Sequence, residues 1–195
     1  MAAVRTFLSF DPPPEIRADI KAVQDRFRSS LDGVAWVRPE NFHSTITFLG
    51  DVEESLLPLL LPEFAAVALR SPAFDVSYEG LGVFPNRRRP NVLWVGCVAP
   101  GEALFGLKEA LDAAAARRGI VLSPQQLHPH VTLGRVRTER AARDLIPMLE
   151  TLTFEPRRAR IEGIRVMKSV LSSHGAAYTA LATNPLYERT TNRST

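Results

Sequence analysis

Four histidines occur in this 195-residue chain: His43, His128, His130 and His174. Two of them stand in near-identical frames, His43-Ser44-Thr45-Ile46-Thr47-Phe48-Leu49-Gly50 and His130-Val131-Thr132-Leu133-Gly134-Arg135. Each frame is a His-x-Thr at the start of a β-branched run. Strand side chains alternate faces, so His43 shares a face with Thr45 and His130 with Thr132. Two such strands facing one another would present two imidazoles and two hydroxyls to one cleft. An imidazole titrates near neutrality, so one can take a proton from water while the other gives one to a leaving oxygen. In-line displacement at phosphorus needs such a pair on opposite sides. Threonine hydroxyls and arginines can hold the non-bridging oxygens. A strained cyclic phosphodiester needs no metal or other cofactor for this chemistry.

The elements that must position these residues follow from periodicity. Arg5 to Phe10 reads as a strand stopped by Pro12 to Pro14, and Pro14 to Ser30 as a helix with Ile16, Ile20, Val23 and Phe27 at helical spacing. Val34 to Val37 is a short strand, and Phe42 to Leu49 is a strand ending at Gly50-Asp51. Glu54 to Leu69 and Ala103 to Arg118 are helices, the second capped by Gly119. Phe74 to Val83 and Asn91 to Val98 are strands joined by an arginine-rich loop. Val131 to Val136, Ile161 to Leu171 and Tyr178 to Thr183 are further strands, and Glu139 to Leu149 is a helix. A pattern of strand, helix, motif strand and helix thus occurs twice. Without evident parallel crossovers, the expected fold is α+β with antiparallel sheets.

Composition sets the limits. No apolar run reaches the roughly 20 residues of a membrane span; Leu56 to Leu69 is broken by Pro58, Pro62 and Glu63. The opening residues lack a signal-peptide layout, so a cytoplasmic protein is expected. Cys97 is the single cysteine, which precludes an internal disulfide, and its apolar neighbours predict a buried, inert thiol. The net charge is +3. Arginine dominates the cations, as codon bias or an anionic ligand would both produce.

These motifs resemble the signatures of the two-histidine (2H) phosphoesterase superfamily. Within it the chain is similar to the bacterial and archaeal RNA 2′,3′-cyclic phosphodiesterases, historically called 2′-5′ RNA ligases. The resemblance covers almost the whole chain. It includes Arg5-Thr6-Phe7, the run Trp36-Val37-Arg38-Pro39-Glu40-Asn41 before the first motif, Gly82-Val83-Phe84-Pro85 with Val92-Leu93-Trp94, Pro129 before the second motif, and Lys168-Ser169 with Gly175 and Tyr178. It implies a bilobal domain over residues 1–187, with two pseudo-symmetric antiparallel sheets and outer helices around a central cleft. It also implies hydrolysis of a terminal 2′,3′-cyclic phosphate to a 2′-phosphate. By position, His43 would be the proton donor, His130 the proton acceptor, and Thr45 and Thr132 the phosphate contacts. The expected partner is an RNA or oligonucleotide end, with neither metal nor membrane involved and the protein a monomer. Residues 188–195 read as a frayed tail. Gly134 departs from the family's frequent alanine.

Other positions have two readings. Arg135 is off the parity of His130 and Thr132, and reaches the cleft as a phosphate contact only if the strand bends, which Gly134 would permit; otherwise it is a surface ion-pair former. His128 and His130 form His-x-His, but zinc sites take three or four protein ligands and no Asp, Glu or Cys lies close in sequence. His174 reads as an exposed turn residue. Arg87, Arg88 and Arg89 are a solvated hairpin tip or an RNA-backbone contact. Trp36 and Trp94 are core residues or base-stacking platforms. Three functions compete: the RNA cyclic phosphodiesterase, the same site used for 2′-5′ ligation or small cyclic nucleotides, and a binding module without turnover.

Overall fold

A computed structural model describes residues 2–124, 126–172 and 175–188, without the side chains of 171–176. Nine strands and four helices follow one another as β1 (Ala3–Phe10), α1 (Pro14–Arg28), β2 (Val34–Trp36), β3 (Ser44–Glu53), α2 (Leu57–Ala68), β4 (Phe74–Phe84), β5 (Val92–Val98), α3 (Ala103–Arg117), β6 (His130–Val136), α4 (Glu139–Thr151), β7 (Arg157–Ile161), β8 (Gly163–Ser172) and β9 (Gly175–Pro185). Every strand pairing is antiparallel. The strand order is β7-β4-β5-β6-β3-β1-β8-β9, with β2 also on β6. The α+β expectation holds, and the sheet divides into two wings. One is β3-β1-β8-β9 and the other is β6-β5-β4-β7. They meet at β3 and β6, which share the single register pair Ser44↔Val131.

Neither wing is a continuous piece of chain. β2 crosses from the first half to line β6, and β8 and β9 return from the C-terminal half to extend β1. The structure departs from the expected boundaries in three places. β3 continues past Gly50 to Glu53, because Thr6, Arg5, Val4 and Ala3 still pair with it there. The helix expected from Glu54 opens as a 3-10 turn over Glu54–Leu56. The run read as one strand from Ile161 divides at Glu162 into β7, paired with β4, and β8, paired with β1, so the two pieces serve opposite wings. His174 and residues 189–195 of the expected tail lie outside the described residues, and Glu188 is exposed.

The helices cover the outer faces. Helix α1 starts at Pro14, whose fixed φ suits a first turn. It buries Ile16, Ile20, Val23 and Phe27 together with the polar Gln24. Gln24 sits in the apolar layer because its amide has partners. Its Nε2 donates to the carbonyls of Val37 (2.7 Å) and Leu133 (2.8 Å). Two carbonyl acceptors fix which amide atom is nitrogen. The bonds tie α1 to β6 inside the second motif. Helix α4 is capped by Thr138, which accepts from the backbone N–H of Ala141. Cys97 is buried, and burial pushes its thiol up to about 12, away from any nucleophilic role at neutral pH. Among the described residues no helix is long and apolar enough to cross a membrane.

Gln24→Leu should cost about 1–3 kcal/mol, the penalty for leaving the Val37 carbonyl buried without a donor. A urea denaturation midpoint equal to that of the parent protein would show that the bond adds nothing.

Candidate active site

The site is built outward from the Ser44–Val131 pair. Both residues are fully buried, so their side chains point into the core. Their chain neighbours must then point the other way, into the cleft between the wings. The antiparallel run sets His43 beside Thr132 and Thr45 beside His130. One β-bridge thus gathers both His-x-Thr motifs.

The two imidazoles are held alike. His43 Nδ1 lies 2.7 Å from the carbonyl of Asn41, and His130 Nδ1 lies 2.6 Å from that of His128. A carbonyl only accepts, so each Nδ1 carries the proton and each Nε2 is left for chemistry. Aromatic rings fix the ring planes. His43 packs on Phe7 (centroids 4.9 Å apart) and edge-on to Tyr178 (5.1 Å). His130 sits edge-on to Phe84 (4.9 Å), with Trp94 at 6.2 Å. Trp94 is half-buried and lines a cavity that also reaches His130. Its indole lies against Gly82, where a Cβ would come within 2.2 Å of ring carbons.

Both motif strands carry an extra residue at the same place. In β3, Ser9 pairs with Thr45 and Leu8 with Thr47, leaving Ile46 as the bulge. In β6, Trp94 pairs with Thr132 and Leu93 with Gly134, leaving Leu133 as the bulge. A bulge reverses the parity of the residues after it until the next one, which in β3 comes at Leu49, between the pairs Phe7↔Phe48 and Thr6↔Gly50. Phe48 therefore pairs with Phe7, and Arg135 with Val92, on the histidine face. The strand irregularity that Arg135 needed is present, although it lies at Leu133 and not at Gly134. Gly134 has a different duty: a Cβ there would fall 2.7 Å from Val34 and 2.9 Å from the Trp36 ring. Trp36 packs against the core cluster from β2.

Burial is the largest influence on both histidines and pushes each below its ordinary pKa, while the carbonyl partner of each opposes the shift. The charge of Arg135 lowers both. Of the two histidines Asp11 acts only on His43, raising it, and His130 lowers it. The motif is thus symmetric in backbone and asymmetric in field. Arg135 has no ion-pair partner among the described residues, whereas Asp11 lies 2.7 Å from Arg165 and 3.6 Å from Arg17.

A cleft of about 670 Å³ opens beside this cluster, lined by Thr45, Phe48, Phe84, His128 and His130 among others. A second cavity of about 600 Å³ reaches His130 from the Trp94 side. Thr45 and Thr132 are half-buried, and among the described residues neither hydroxyl is engaged by the protein. Phe48 is 53% exposed, a large apolar ring kept in the cleft wall.

A family model of LigT-like phosphoesterases matches residues 10–94 and again residues 95–178. The chain belongs to the LigT-like phosphoesterase family. The double match reflects the repeated strand and helix pattern, each copy carrying one His-x-Thr. The RNA 2′,3′-cyclic phosphodiesterase of Methanothermobacter thermautotrophicus is 32% identical over 178 residues, covering 90% of this chain and 95% of that protein. The protein of the same name from Aquifex aeolicus is 28% identical over 184 residues, covering 93% and 96%. The structure of Escherichia coli LigT complexed with 3′-AMP has a TM-score of 0.72 and 25% identity, covering 95% of this chain and 99% of that one.

In this LigT-like phosphoesterase, the five residues singled out from sequence converge: His43, Thr45, His130, Thr132 and Arg135. His128 and Trp94 border this cluster. His128 is exposed and contributes its carbonyl to His130. No group of three or more His, Cys, Asp or Glu side chains among the described residues could hold a metal ion. Arg87 pairs with Glu150 (3.8 Å), and Asn86 Oδ1 accepts from the backbone N–H groups of Arg88 and Arg89, which makes this loop a solvated turn. The clamping carbonyl of Asn41, the Asp11 charge and the Phe48 ring were not found by pattern reading. A regular period-2 reading places Phe48 on the wrong face, and nothing local marks Asp11.

Replacing Asp11 by Asn removes the charge that favours protonated His43. The pH–rate profile should lose activity on its alkaline side at a lower pH than in the parent, with the acidic side little moved. A shift of the acidic side instead would place Asp11's influence on the base.

Proposed function

We propose that the protein hydrolyses the 2′,3′-cyclic phosphate at an RNA end to a 2′-phosphate, by acid–base catalysis between His130 and His43 without a metal. The observation that supports this most is the matched clamping of the two imidazoles. Each Nδ1 is committed to a carbonyl, so each Nε2 faces the cleft as a lone pair when neutral and as an N–H when protonated. The names of the relatives supply the substrate class, and 3′-AMP bound to Escherichia coli LigT shows that a nucleotide fits that relative.

In the proposed step, His130 Nε2 takes a proton from water as the water oxygen attacks phosphorus. The P–O3′ bond breaks and His43 Nε2 gives its proton to the departing O3′. The products are a 2′-phosphate and a free 3′-hydroxyl. Arg135, with no carboxylate to neutralise it, holds the non-bridging oxygens, and the Thr45 and Thr132 hydroxyls donate to the same group. An arriving phosphate anion raises the pKa of the nearby imidazoles, which offsets their burial and supplies the protonated acid. The field asymmetry favours the assignment of roles: Asp11 supports protonated His43 and does not act on His130. The exposed face of Phe48 is available to the nucleobase. The interleaved wings support reading residues 1–187 as one bilobal domain, since neither wing is complete without strands from the other half.

His43→Ala and His130→Ala should each lower kcat by about 10²–10⁴ on a cyclic-phosphate-ended RNA, with the parent rate unchanged in EDTA. On a phosphodiester with a good aryl leaving group, which hardly needs a proton, His43→Ala should recover most of its loss and His130→Ala should stay slow. Rescue of His130→Ala instead would reverse the roles. Loss of parent activity in EDTA, restored by a divalent ion, would overturn the metal-free mechanism. Tight RNA binding without turnover would make the protein a binding module.

A further inference from the structure

Beyond Ser44 the β6-side edge of β3 has no strand partner among the described residues. The 670 Å³ cleft runs along that open edge. Six consecutive residues, Thr45 to Gly50, line it, as a strand seen edge-on allows, whereas a strand seen face-on shows only alternate residues. Val121, Ser123, Gln126, Leu127 and His128 line it as well, together with Lys108 of α3. The histidines lie at the Thr45 end. At about 3.3 Å per residue, Gly50 lies roughly 16 Å away, less whatever the bulges take up. Stacked nucleotides are about 3.4 Å apart along a strand. The groove is therefore longer than the terminal nucleotide needs.

Two cations line the groove, of which Lys108 is paired with Asp112. Arg5 and Lys108 line it, and no Asp or Glu does among the described residues. Arg5 lies on the cleft face of β1, since it is two residues from Phe7 on a run that pairs regularly with β8. It is exposed and has no ion-pair partner among the described residues. Its charge reaches Tyr178, the ring packed on His43, as does that of Arg135. Arg135 and Arg5 thus continue one cationic path from the histidines toward Gly50. Lys108 is anchored: Asp112 takes its ammonium with one carboxylate oxygen and the Thr47 hydroxyl with the other (2.6 Å). Thr47 belongs to β3, so the anchor fixes the ammonium against the groove wall.

We propose that this groove holds the RNA chain preceding the cyclic-phosphate end, with Arg5 and Lys108 as contacts to the phosphates before the scissile one. The inference rests on the cyclic phosphodiesterase reading and extends it: the enzyme is built for an oligonucleotide end and gains catalytic efficiency from nucleotides it does not cleave. Contacts from Arg5 and Lys108 to phosphates carry no base information, so the affinity they add is electrostatic and sequence-tolerant.

Two measurements test this. The first is kcat/KM on 2′,3′-cyclic AMP and on cyclic-phosphate-ended oligoadenylates of increasing length, at low salt. Efficiency should rise over the first few added nucleotides. In Arg5→Gln and Lys108→Gln the ratio of oligonucleotide to mononucleotide efficiency should fall several-fold. The second is binding of a 5′-fluorescein, 2′-phosphate-ended octamer by anisotropy as a function of salt. Each lost phosphate contact should flatten the slope of log K against log salt by about 0.7. Length-independent efficiency in the parent, unchanged slopes in both variants, or a loss seen only when Arg87, Arg88 and Arg89 are replaced would overturn the groove. A parent protein that cleaves no substrate, yet whose salt slope still flattens in the variants, would overturn the hydrolytic reading and leave the groove standing.

Discussion

The site depends on one β-bridge. Ser44 and Val131 are the only register pair between β3 and β6, and both are fully buried. Burying this pair turns the neighbouring His43, Thr45, His130 and Thr132 into the cleft together. A wider β3–β6 ladder would close the cleft, because the strands would continue side by side and the edge of β3 would be filled. Without any pairing the wings would lose the register that sets each histidine beside the other motif's threonine. A single bridge satisfies both demands, and it joins the wings where precision matters most. Gln24 reinforces it from behind, with its amide on the carbonyl of Leu133.

Much of this was legible in the sequence. The repeated His-x-Thr, the helix starting at Pro14 with its Ile16, Ile20, Val23 and Phe27 stripe, and the antiparallel α+β class all follow from spacing and composition. These are local properties of the chain. The bulges at Ile46 and Leu133 were not legible, because a bulge is defined by which residue on a neighbouring strand lies opposite, and β1 and β5 are remote in sequence. A regular strand leaves Phe48 and Arg135 facing away from the histidines. The same limitation applies to the run from Ile161. Its hydrophobic pattern is continuous with one strand, and only the demands of two different partners, β4 and β1, show that it must divide at Glu162.

The glycines show how packing choices far from the chemistry support it. Gly134 leaves room for Val34 and Trp36, so β2 can lie close on β6 and the Val37 N–H can reach the Leu133 carbonyl (2.9 Å). An alanine there would push β2 off the strand that carries His130. Gly82 does similar service on the cleft face, where the Trp94 indole lies in the space a Cβ would take and stays beside His130. Both are close-approach glycines without a positive φ, and a tryptophan is among the side chains that approach each.

A nearly two-fold backbone has to perform a reaction with two unlike sides. Symmetry is kept where geometry matters: each imidazole is clamped through Nδ1 by the carbonyl two residues before it, each is followed by a threonine, and each strand bulges one residue later. It is broken five positions after each histidine, where the bulge delivers Phe48 in one wing and Arg135 in the other. It is broken again by Asp11, whose charge reaches His43 and not His130. A cation favours a neutral imidazole near it and a carboxylate favours a protonated one. Arg135 lowers both histidines, and Asp11 raises His43 against it, which separates the two as a base and an acid working in one turnover require. The aromatic position serves a different purpose, since Phe48 adds no charge and leaves the Asp11 bias on His43 undiminished. On the proposed reading, the division of labour comes from one carboxylate, Asp11, placed near one histidine of a backbone that treats both alike.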